Sequence, residues 1–340
     1  MSRNMLKIIG ICAIFCFVNT TMCKASNEKQ TVIGILRVSP PFGVEIEQGF
    51  KDTFQSLSQK EGISVRFLPT KIANSESKYF GENVIMAQEL LEQGADILVT
   101  IGTQASVPVW PEIKNTGIPM IFSGVTFPLE GGLIKEFDKP TGENITGISY
   151  GVTPLARLEL FRNMFSDKSR FNKLGFVYDS NVLQETIYVK HLKELVDTKG
   201  WDIVYIDFYD PDQGKTSGEL LLEKLQQSNP DLIFGWFSLD QLSSDEEQFK
   251  RLQNSYKKPI LGITSKFTDE GAIGGVLTNH FSLGALQAKI VDKIIQGEEA
   301  GNIPPMEPVD YLIELNLKKA AELGVEFDLD IIAAADRLIQ

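Results

Sequence analysis

The sequence has 340 residues, of which 43% are hydrophobic and 23% are charged, a balance typical of a globular protein too long for one small core. It has 33 lysines and arginines against 45 aspartates and glutamates, and the formal net charge of -12 disfavours nucleic-acid binding because phosphates would meet no basic field. Two histidines and three cysteines also disfavour a transition-metal site and a histidine-based catalytic triad.

Residues 1–25 have the pattern of a secretory signal. Arg3 and Lys7 precede an apolar run over residues 8–18, and small or polar residues follow before Ser26. The run is shorter than the ~20 residues that a membrane-spanning helix needs. We therefore expect a periplasmic or otherwise extracytoplasmic protein after this segment is removed.

All three cysteines, Cys12, Cys16 and Cys23, lie inside this segment. Cleavage before Ser26 leaves a chain without disulfides or thiol chemistry. Lipid modification of Cys23 is the alternative, but residues 20–22 lack the Leu and the small residue expected before a bacterial lipoprotein cysteine.

From Thr31 onward, short apolar runs rich in β-formers alternate with longer helical patterns, as in a parallel sheet covered by helices. Each predicted strand is nearly all apolar, which is expected when both of its faces are covered. The predicted strands are 32–36, 63–68, 96–101 and 119–122, and the predicted helices are 45–58, 80–93 and one from about 104.

The same order of elements then recurs. Gly34 corresponds to Gly175 and Pro119 to Pro259, each at a spacing of about 140 residues, which indicates two similar α/β lobes rather than one large sheet. The second set comprises strands 174–178, 201–207, 231–234 and 259–262, and helices 184–198, 217–227 and one ending near 253.

Three crossover segments are expected between the lobes. Residues 142–153 combine extended-chain residues with glycines, and helix 283–296 comes too late to belong to the second repeat. A short strand at 311–314 and a helix at 316–323 complete the chain. The predicted lobe 1 is 31–147 plus about 281–304, and the predicted lobe 2 is 148–280 plus about 305–340.

Ligands of parallel α/β lobes bind outside the carboxyl ends of the strands, so the turns after the strands supply the candidate site. Hydroxyls and amides suit a carboxylate, aspartates suit an amine and phenylalanines suit an apolar body. Ser180, Ser238 and Asp240 have an alternative role as helix N-caps. The candidate ligand-binding residues are Ser39, Pro41, Phe42, Thr103, Gln104, Thr126, Phe127, Asp179, Ser180, Asn181, Phe237, Ser238, Asp240, Thr264 and Asn279.

The remaining titratable residues predict little chemistry. His191 is expected on a solvated helix surface, His280 lies near a crossover, and Glu45 and Glu47 are interpreted as solvated acids at a helix start. Residues 26–340 contain no HExxH, Walker or GxGxxG motif. We therefore predict no catalytic residues, no metal site and no cofactor.

Four segments together resemble the bacterial ABC-transporter substrate-binding proteins related to tryptophan/phenylalanine-binding receptors. The resemblance implies a type I periplasmic binding-protein fold, in which two Rossmann-like lobes joined by three hinge segments close on a small ligand. It covers nearly all of the chain after the signal, and the segments that carry it are 99–105 (VTIGTQA), 118–126 (IPMIFSGVT), 142–147 (GENITG) and 315–324 (LNLKKAAELG).

One residue departs from the family pattern. The family usually has Asp-Pro after the threonine of the second segment, whereas Phe127 precedes Pro128 here. The missing carboxylate puts the binding of free amino acids in doubt and favours a less cationic, partly apolar ligand.

The leading hypothesis is an extracytoplasmic receptor of an ABC importer that captures an amino-acid-like or aromatic/apolar ligand by hinge closure and acts as a monomer with an inner-membrane permease. An alternative is a ligand sensor that feeds a sensor kinase or chemoreceptor. A third hypothesis is an exported two-lobed hydrolase or isomerase that uses Asp179 or Asp240.

We expect the exported protein to begin at Ser26 and to contain no thiol. N-terminal sequencing and thiol titration of the secreted form measure both. A mature chain that starts at a lipidated Cys23 would contradict the expectation.

Overall fold

The computed structural model describes residues 30–340 except 40–41, 75–78, 168, 200–201, 210–216, 236–238, 240–241, 243–245 and 309. The predicted signal segment therefore lies outside the described residues. No helix in the described part of the chain is both long enough and apolar enough to span a bilayer.

The first lobe is built on a parallel sheet in the order β2-β1-β4-β5-β6, with β3 also paired to β1. Residues of β4, β5 and β6 are all buried, because helices cover both faces of the sheet. Its elements are β1 (Thr31–Arg37), α1 (Phe42–Glu61), β2 (Val65–Phe67), β3 (Lys71–Ile72), α2 (Phe80–Glu92), β4 (Ile97–Ile101), α3 (Thr103–Ser106), α4 (Trp110–Ile113), β5 (Met120–Val125) and β6 (Ile145–Ser149).

The second lobe is built on a sheet in the order β13-β12-β11-β10-β9-β7-β8, in which β12 runs antiparallel to β11 and the other described pairs are parallel. Its first elements are α5 (Pro154–Asn163), β7 (Lys173–Tyr178), α6 (Leu183–Lys199), β8 (Asp202–Asp207), α7 (Ser217–Ser228), β9 (Leu232–Gly235), α8 (Glu246–Ser255), β10 (Ile260–Gly262), α9 (Ser265–Asp269) and β11 (Gly274–Thr278). After the return helix α10 (His280–Ile295), the chain ends with β12 (Tyr311–Asn316), α11 (Leu317–Glu322), α12 (Leu329–Ala334) and β13 (Arg337–Ile339).

Helix α10 leaves the second sheet and packs along α1 in the first lobe. Two glycines allow the backbones to approach closely. A Cβ on Gly284 would lie 2.0 Å from the carbonyl oxygen of Ile46, and a Cβ on Gly49 would lie 2.2 Å from the carbonyl oxygen of Phe281. The two helices therefore meet backbone to backbone at this point.

A buried glutamine fastens α10 to the first sheet. The Gln287 side-chain nitrogen donates to the carbonyl oxygens of Thr100 at 3.3 Å and Ile121 at 2.8 Å, and its oxygen accepts from the Ser123 hydroxyl at 2.9 Å. Because an unsatisfied buried amide is costly, these bonds favour one position of α10 on β4 and β5.

The chain passes between the sheets three times: from β6 to α5, from β11 to α10, and from α10 to β12. The third of these crossovers begins alongside β6, since Ser149 N donates to the carbonyl of Met306 and Met306 N donates to the carbonyl of Gly147, each at 3.0 Å. The fold class predicted from the sequence, two α/β lobes with mostly parallel sheets joined by three crossovers, is confirmed.

The sequence prediction differs from the structure at several boundaries. Helix α10 begins three residues before the predicted Leu283, because the Asn279 side chain accepts from Ser282 N at 3.1 Å and caps the helix there. The C-terminal elements α12 and β13 have no counterpart in the predicted elements.

The close contact of α1 and α10 predicts that an added methyl group destabilises the protein at Gly284 but not at Gly81. Gly284→Ala should lower the free energy of unfolding by on the order of 1–3 kcal/mol, because backbone cannot move away as a side chain can. Gly81→Ala is the matched control in helix α2, where a Cβ would meet nothing within 4 Å, and should leave stability unchanged or slightly raised. Urea unfolding measures both, and equal effects would contradict the packing argument.

Candidate functional site

A cavity of about 510 Å³ lies between the two lobes, within the size range of small-molecule sites. The first lobe contributes the turn that follows β5, the second lobe contributes one face of α6, and the crossovers contribute the rest. This inter-lobe cavity is lined by Thr126–Glu130 and Phe137, by Ser149–Leu155, by Tyr188, His191, Glu194 and Leu195, and by Glu307.

The turn after β5 is set by the backbone. Gly124 adopts a φ of 65°, a conformation that glycine takes without strain, at the point where the register with β6 shifts. The turn is then closed by Gly131 N donating to the carbonyl of Phe127 at 2.9 Å. Thr126 N donates to the hydroxyl oxygen of Thr103 at 3.3 Å, which fixes the turn against the start of α3. Phe127, half-buried, is thereby held on the cavity wall.

Helix α6 presents its cavity face from the other lobe. Tyr188, His191 and Leu195 follow the spacing of one helical face. His191 Nε2 lies 2.9 Å from Oε1 of Glu130, and its ring meets the Phe127 ring edge-on, with centroids 5.2 Å apart and planes at 86°. These contacts join the lobes across the cavity.

Tyr188 forms the buried end of this face and is fully inaccessible to solvent. Burial raises the pKa of Tyr188 to about 12, while the neighbouring Arg157 acts in the opposite direction. Both side chains lie in the interior of the second lobe. The phenol therefore stays protonated and uncharged at neutral pH.

The cavity combines apolar walls with carboxylates. Glu130, Glu194 and Glu307 line it together with aromatic and aliphatic side chains. Burial, and then the proximity of Asp138, raises the pKa of Glu307 above its usual value. Such a lining suits a ligand that has an apolar body and a positively charged group. Among the described residues, no three His, Cys, Asp or Glu side chains gather as metal ligands would.

A hydrogen-bonded aromatic cluster borders the cavity at the crossovers. The Tyr150 ring, which lines the cavity, stacks on His280 with centroids 5.7 Å apart, and Phe42 contacts both rings. His280 Nδ1 donates to Oε2 of Glu45 at 2.6 Å, and in that tautomer Nε2 accepts from the Tyr150 hydroxyl at 3.2 Å. The hydrogen bond from His280 lowers the pKa of Glu45.

Two predictions from the sequence are wrong. His191 is not a solvated helix residue but contacts the opposite lobe. Glu47 is not a solvated acid but is buried, where it accepts from Lys51 and other donors, whereas Glu45 is exposed as expected and also accepts from His280. Burial acts to raise the pKa of Glu47, but the hydrogen bonds outweigh it and the pKa is lowered. Each error arises because the partner lies far away in the sequence or on an unforeseen helix face.

The candidate ligand residues are distributed unevenly around the cavity. Thr126 and Phe127 line it, Thr103 bonds the backbone of Thr126, and Phe42 packs on Tyr150. Ser39 is exposed, and the main-chain oxygen of Gln104 accepts from Asn83. Pro41, Phe237, Ser238 and Asp240 lie outside the described residues.

The remaining candidates are held by local hydrogen bonds. Thr264 and Asn279 are N-caps, whose side-chain oxygens accept from Phe267 N at 3.4 Å and Ser282 N at 3.1 Å. In the turn after β7, the Asp179 carboxylate accepts from Asn181 N, and Ser180 N donates to Asp207. None of these five residues lines the described cavity, so their contact with a ligand remains a prediction.

Sequence reasoning missed the cavity residues contributed by α6 and the crossovers, notably Tyr150, Tyr188, Glu194 and Glu307. The rule of strand carboxyl ends does not reach a helix face or a crossover. The only available signal was the common spacing of Tyr188, His191 and Leu195, which is equally typical of a helix face packed in a core.

A family model described as ABC transporter substrate binding protein matches residues 32–339. The tyrosine-binding protein of Clostridioides difficile (strain R20291) is 22% identical over 304 residues, which cover 88% of this chain and 83% of that protein.

Two solved structures resemble the fold. One is an ABC domain from Streptococcus pneumoniae in complex with L-Trp, with a TM-score of 0.70, 20% identity, and coverage of 91% of this chain and all of that one. The other is the ligand-free, open structure of a substrate-binding protein with adhesive properties from Clostridium difficile, with a TM-score of 0.71, 20% identity, and coverage of 91% and 99%. At these identities the likeness shows the fold alone.

The His280 hydrogen bond predicts a titration change at Glu45. His280→Phe keeps a ring beside Phe42 and Tyr150 but removes the donor, so the pKa of Glu45 should rise toward its ordinary value. Tyr150→Phe removes only the hydroxyl group that donates to His280 Nε2, so the pKa of Glu45 should stay low. Carboxyl-detected NMR titration measures the difference.

The direction of the Glu45 pKa shift determines how the stability of the protein changes with pH. A pKa lowered by folding stabilises the protein above the unfolded-state pKa of about 4.3, and this stability is lost as the pH falls through the folded-state value. Acid unfolding of His280→Phe should therefore depend less on pH in that window than unfolding of the unmodified protein. A Glu45 pKa unaffected by His280→Phe would refute the assignment.

Proposed function

Because the chain belongs to the ABC transporter substrate-binding protein family, we propose that it captures a small organic solute outside the cytoplasmic membrane and delivers it to the permease of an ABC importer. Membership of this family confirms the sequence-based prediction of a binding protein rather than an enzyme. Substrate-binding proteins of ABC transporters work outside the cytoplasm, and export through the segment 1–25 is part of the proposal.

The proposed ligand is an amino acid with an aromatic side chain. One relative is named for tyrosine, and one structure of the same fold holds L-Trp. The observation that carries the proposal is the lining of the inter-lobe cavity, where Phe127, Phe137 and Leu195 supply apolar surface and the glutamates supply negative charge. An aromatic amino acid presents the complementary apolar ring and ammonium group.

This ligand class revises the expectation that free amino acids bind weakly. That expectation assumed that an ammonium group next to Phe127 would be buried without a counter-charge, at a large cost in solvation. Glu130 lies three residues further along the same turn, and Glu194 and Glu307 line the same cavity. A ligand ammonium therefore has carboxylates within the site that the local sequence did not reveal.

Closure of the lobes is the proposed means of capture. A ligand in the cavity touches the turn after β5 and the face of α6 at the same time. It therefore stabilises the closed arrangement by its differential affinity for that arrangement. The closed form is then the one that the permease recognises.

Phe127 is expected to pack on the ligand ring. Phe127→Ala should weaken L-tryptophan or L-tyrosine by about 1–3 kcal/mol, whereas Phe127→Leu should weaken it less because an apolar surface remains. Phe281→Ala is the control, since Phe281 is an exposed ring on α10 that does not line the cavity. Titration calorimetry against a panel of amino acids measures the change.

The same calorimetric panel tests whether the ammonium group of the ligand contributes to binding. Indole-3-propionate carries the ring and the carboxylate of tryptophan without the ammonium group, and it should bind at least tenfold more weakly than tryptophan if the glutamates pair the amine. Equal or tighter binding of indole-3-propionate would refute the amino-acid assignment. Native mass spectrometry of the protein as purified provides an independent identification of the ligand.

A further inference from the structure

One carboxylate on the wall of the inter-lobe cavity has no counter-charge among the described residues. Glu307 lies on the crossover from α10 to β12, lines the cavity and is exposed, so a solute can reach it. In the part of the chain that the structure describes, neither a cation nor a hydrogen-bond donor contacts its side chain. Its charged neighbour is Asp138, which has the same sign, and the adjacent Lys139 pairs with Glu136 at 2.8 Å instead.

The surroundings of Glu307 disfavour its negative charge. Burial, and then the proximity of Asp138, raises the pKa of Glu307. Both effects act on the charged form of the carboxyl group, the first through lost hydration and the second through like-charge repulsion. An ammonium group of a ligand next to Glu307 would offset both costs.

The backbone around Glu307 is held in place before any ligand binds. The preceding residue, Met306, exchanges two hydrogen bonds of 3.0 Å with strand β6, and Asp138 N donates to the carbonyl of Pro305 at 3.1 Å. On the other side, the ring of Pro308 disfavours a helical backbone at Glu307. The carboxylate is therefore presented from a fixed backbone, which lowers the ordering cost of binding.

The other two glutamates of the cavity are already engaged within the protein. Oε1 of Glu130 lies 2.9 Å from Nε2 of His191, so a ligand ammonium group would compete with that imidazole for Glu130. Glu194, on α6, also has an interaction within the protein. Of the glutamates that line the described cavity, Glu307 is thus the one whose carboxylate is not in use.

We propose that Glu307 is the specificity-determining residue that binds the ammonium group of the ligand. This inference rests on the proposed function, because it assigns one group of the proposed ligand to one residue of the same cavity. The hydrogen bond from Asp138 to Pro305 joins the segments that carry Phe137 and Glu307, and both of these side chains line the cavity. A ligand that has an apolar ring and an ammonium group finds a surface for each on these two joined segments.

Calorimetry with L-tryptophan and indole-3-propionate measures the discrimination in favour of the ammonium group. Glu307→Gln should weaken L-tryptophan about tenfold or more and leave indole-3-propionate within about threefold of its original affinity, because only tryptophan carries the positive charge. A structural defect would weaken both ligands together.

Two further variants control for the charge. Glu307→Asp keeps the carboxylate on a shorter side chain and should retain part of the discrimination. Glu298→Gln makes the same change in net charge at an exposed position outside the cavity, and it should alter neither affinity. Discrimination that persists in Glu307→Gln but is lost in Glu130→Gln or Glu194→Gln would overturn the assignment and leave the proposed ligand class intact.

Tryptamine separates this inference from the ligand class, because it carries the ring and the ammonium group of tryptophan without the carboxylate. If the unmodified protein binds tryptamine but no aromatic amino acid, and Glu307→Gln weakens tryptamine about tenfold or more, the amino-acid class is refuted and the role of Glu307 is supported. If the unmodified protein binds neither tryptamine nor an aromatic amino acid, both proposals are refuted.

Discussion

The rest of the structure depends on the attachment of α10 to the first lobe. The side-chain amide of Gln287 forms hydrogen bonds with β4 and β5 through both its nitrogen and its oxygen, and Gly284 allows the backbone of α10 to contact the backbone of α1. Because this helix follows a strand of the second sheet, the chain must cross to reach it and cross again to finish the second sheet. The crossovers that result supply part of the cavity wall, including Tyr150 and Glu307. The packing of α10 on the first lobe thereby shapes the cavity.

The architecture could be predicted from the sequence because strands that are covered on both faces have continuous apolar sequences. These apolar runs recur at a near-constant spacing, which indicates two similar lobes. It predicted Thr126 and Phe127 at the cavity because a strand ends there. His191 escaped prediction because its partner Glu130 belongs to the other lobe, and no local pattern encodes a contact that lobe orientation creates. Thr264 and Asn279 show the converse case, in which residues at the right end of a strand are already used as helix caps.

The net charge of the whole chain and the charge of the cavity lining have the same sign. A formal charge of -12 makes the long-range field attractive to cations, and the cavity lining repeats that sign at short range. The apolar walls between the glutamates lower the local dielectric and strengthen each attraction. His191 and His280 make the same kind of contact. The imidazole of His191 lies between the Glu130 carboxylate and the Phe127 ring, and that of His280 lies between the Glu45 carboxylate and the Tyr150 ring.

The pairing of the third crossover with β6 has a mechanical consequence. Strand β6 and the segment around Met306 exchange hydrogen bonds at Gly147 and Ser149, so the returning chain is tied to the edge of the first sheet next to the point where the first crossover leaves it. In the proposed closure, the two lobes would then swing about one shared edge, and a ligand that fixes this swing would fix the position of one lobe relative to the other.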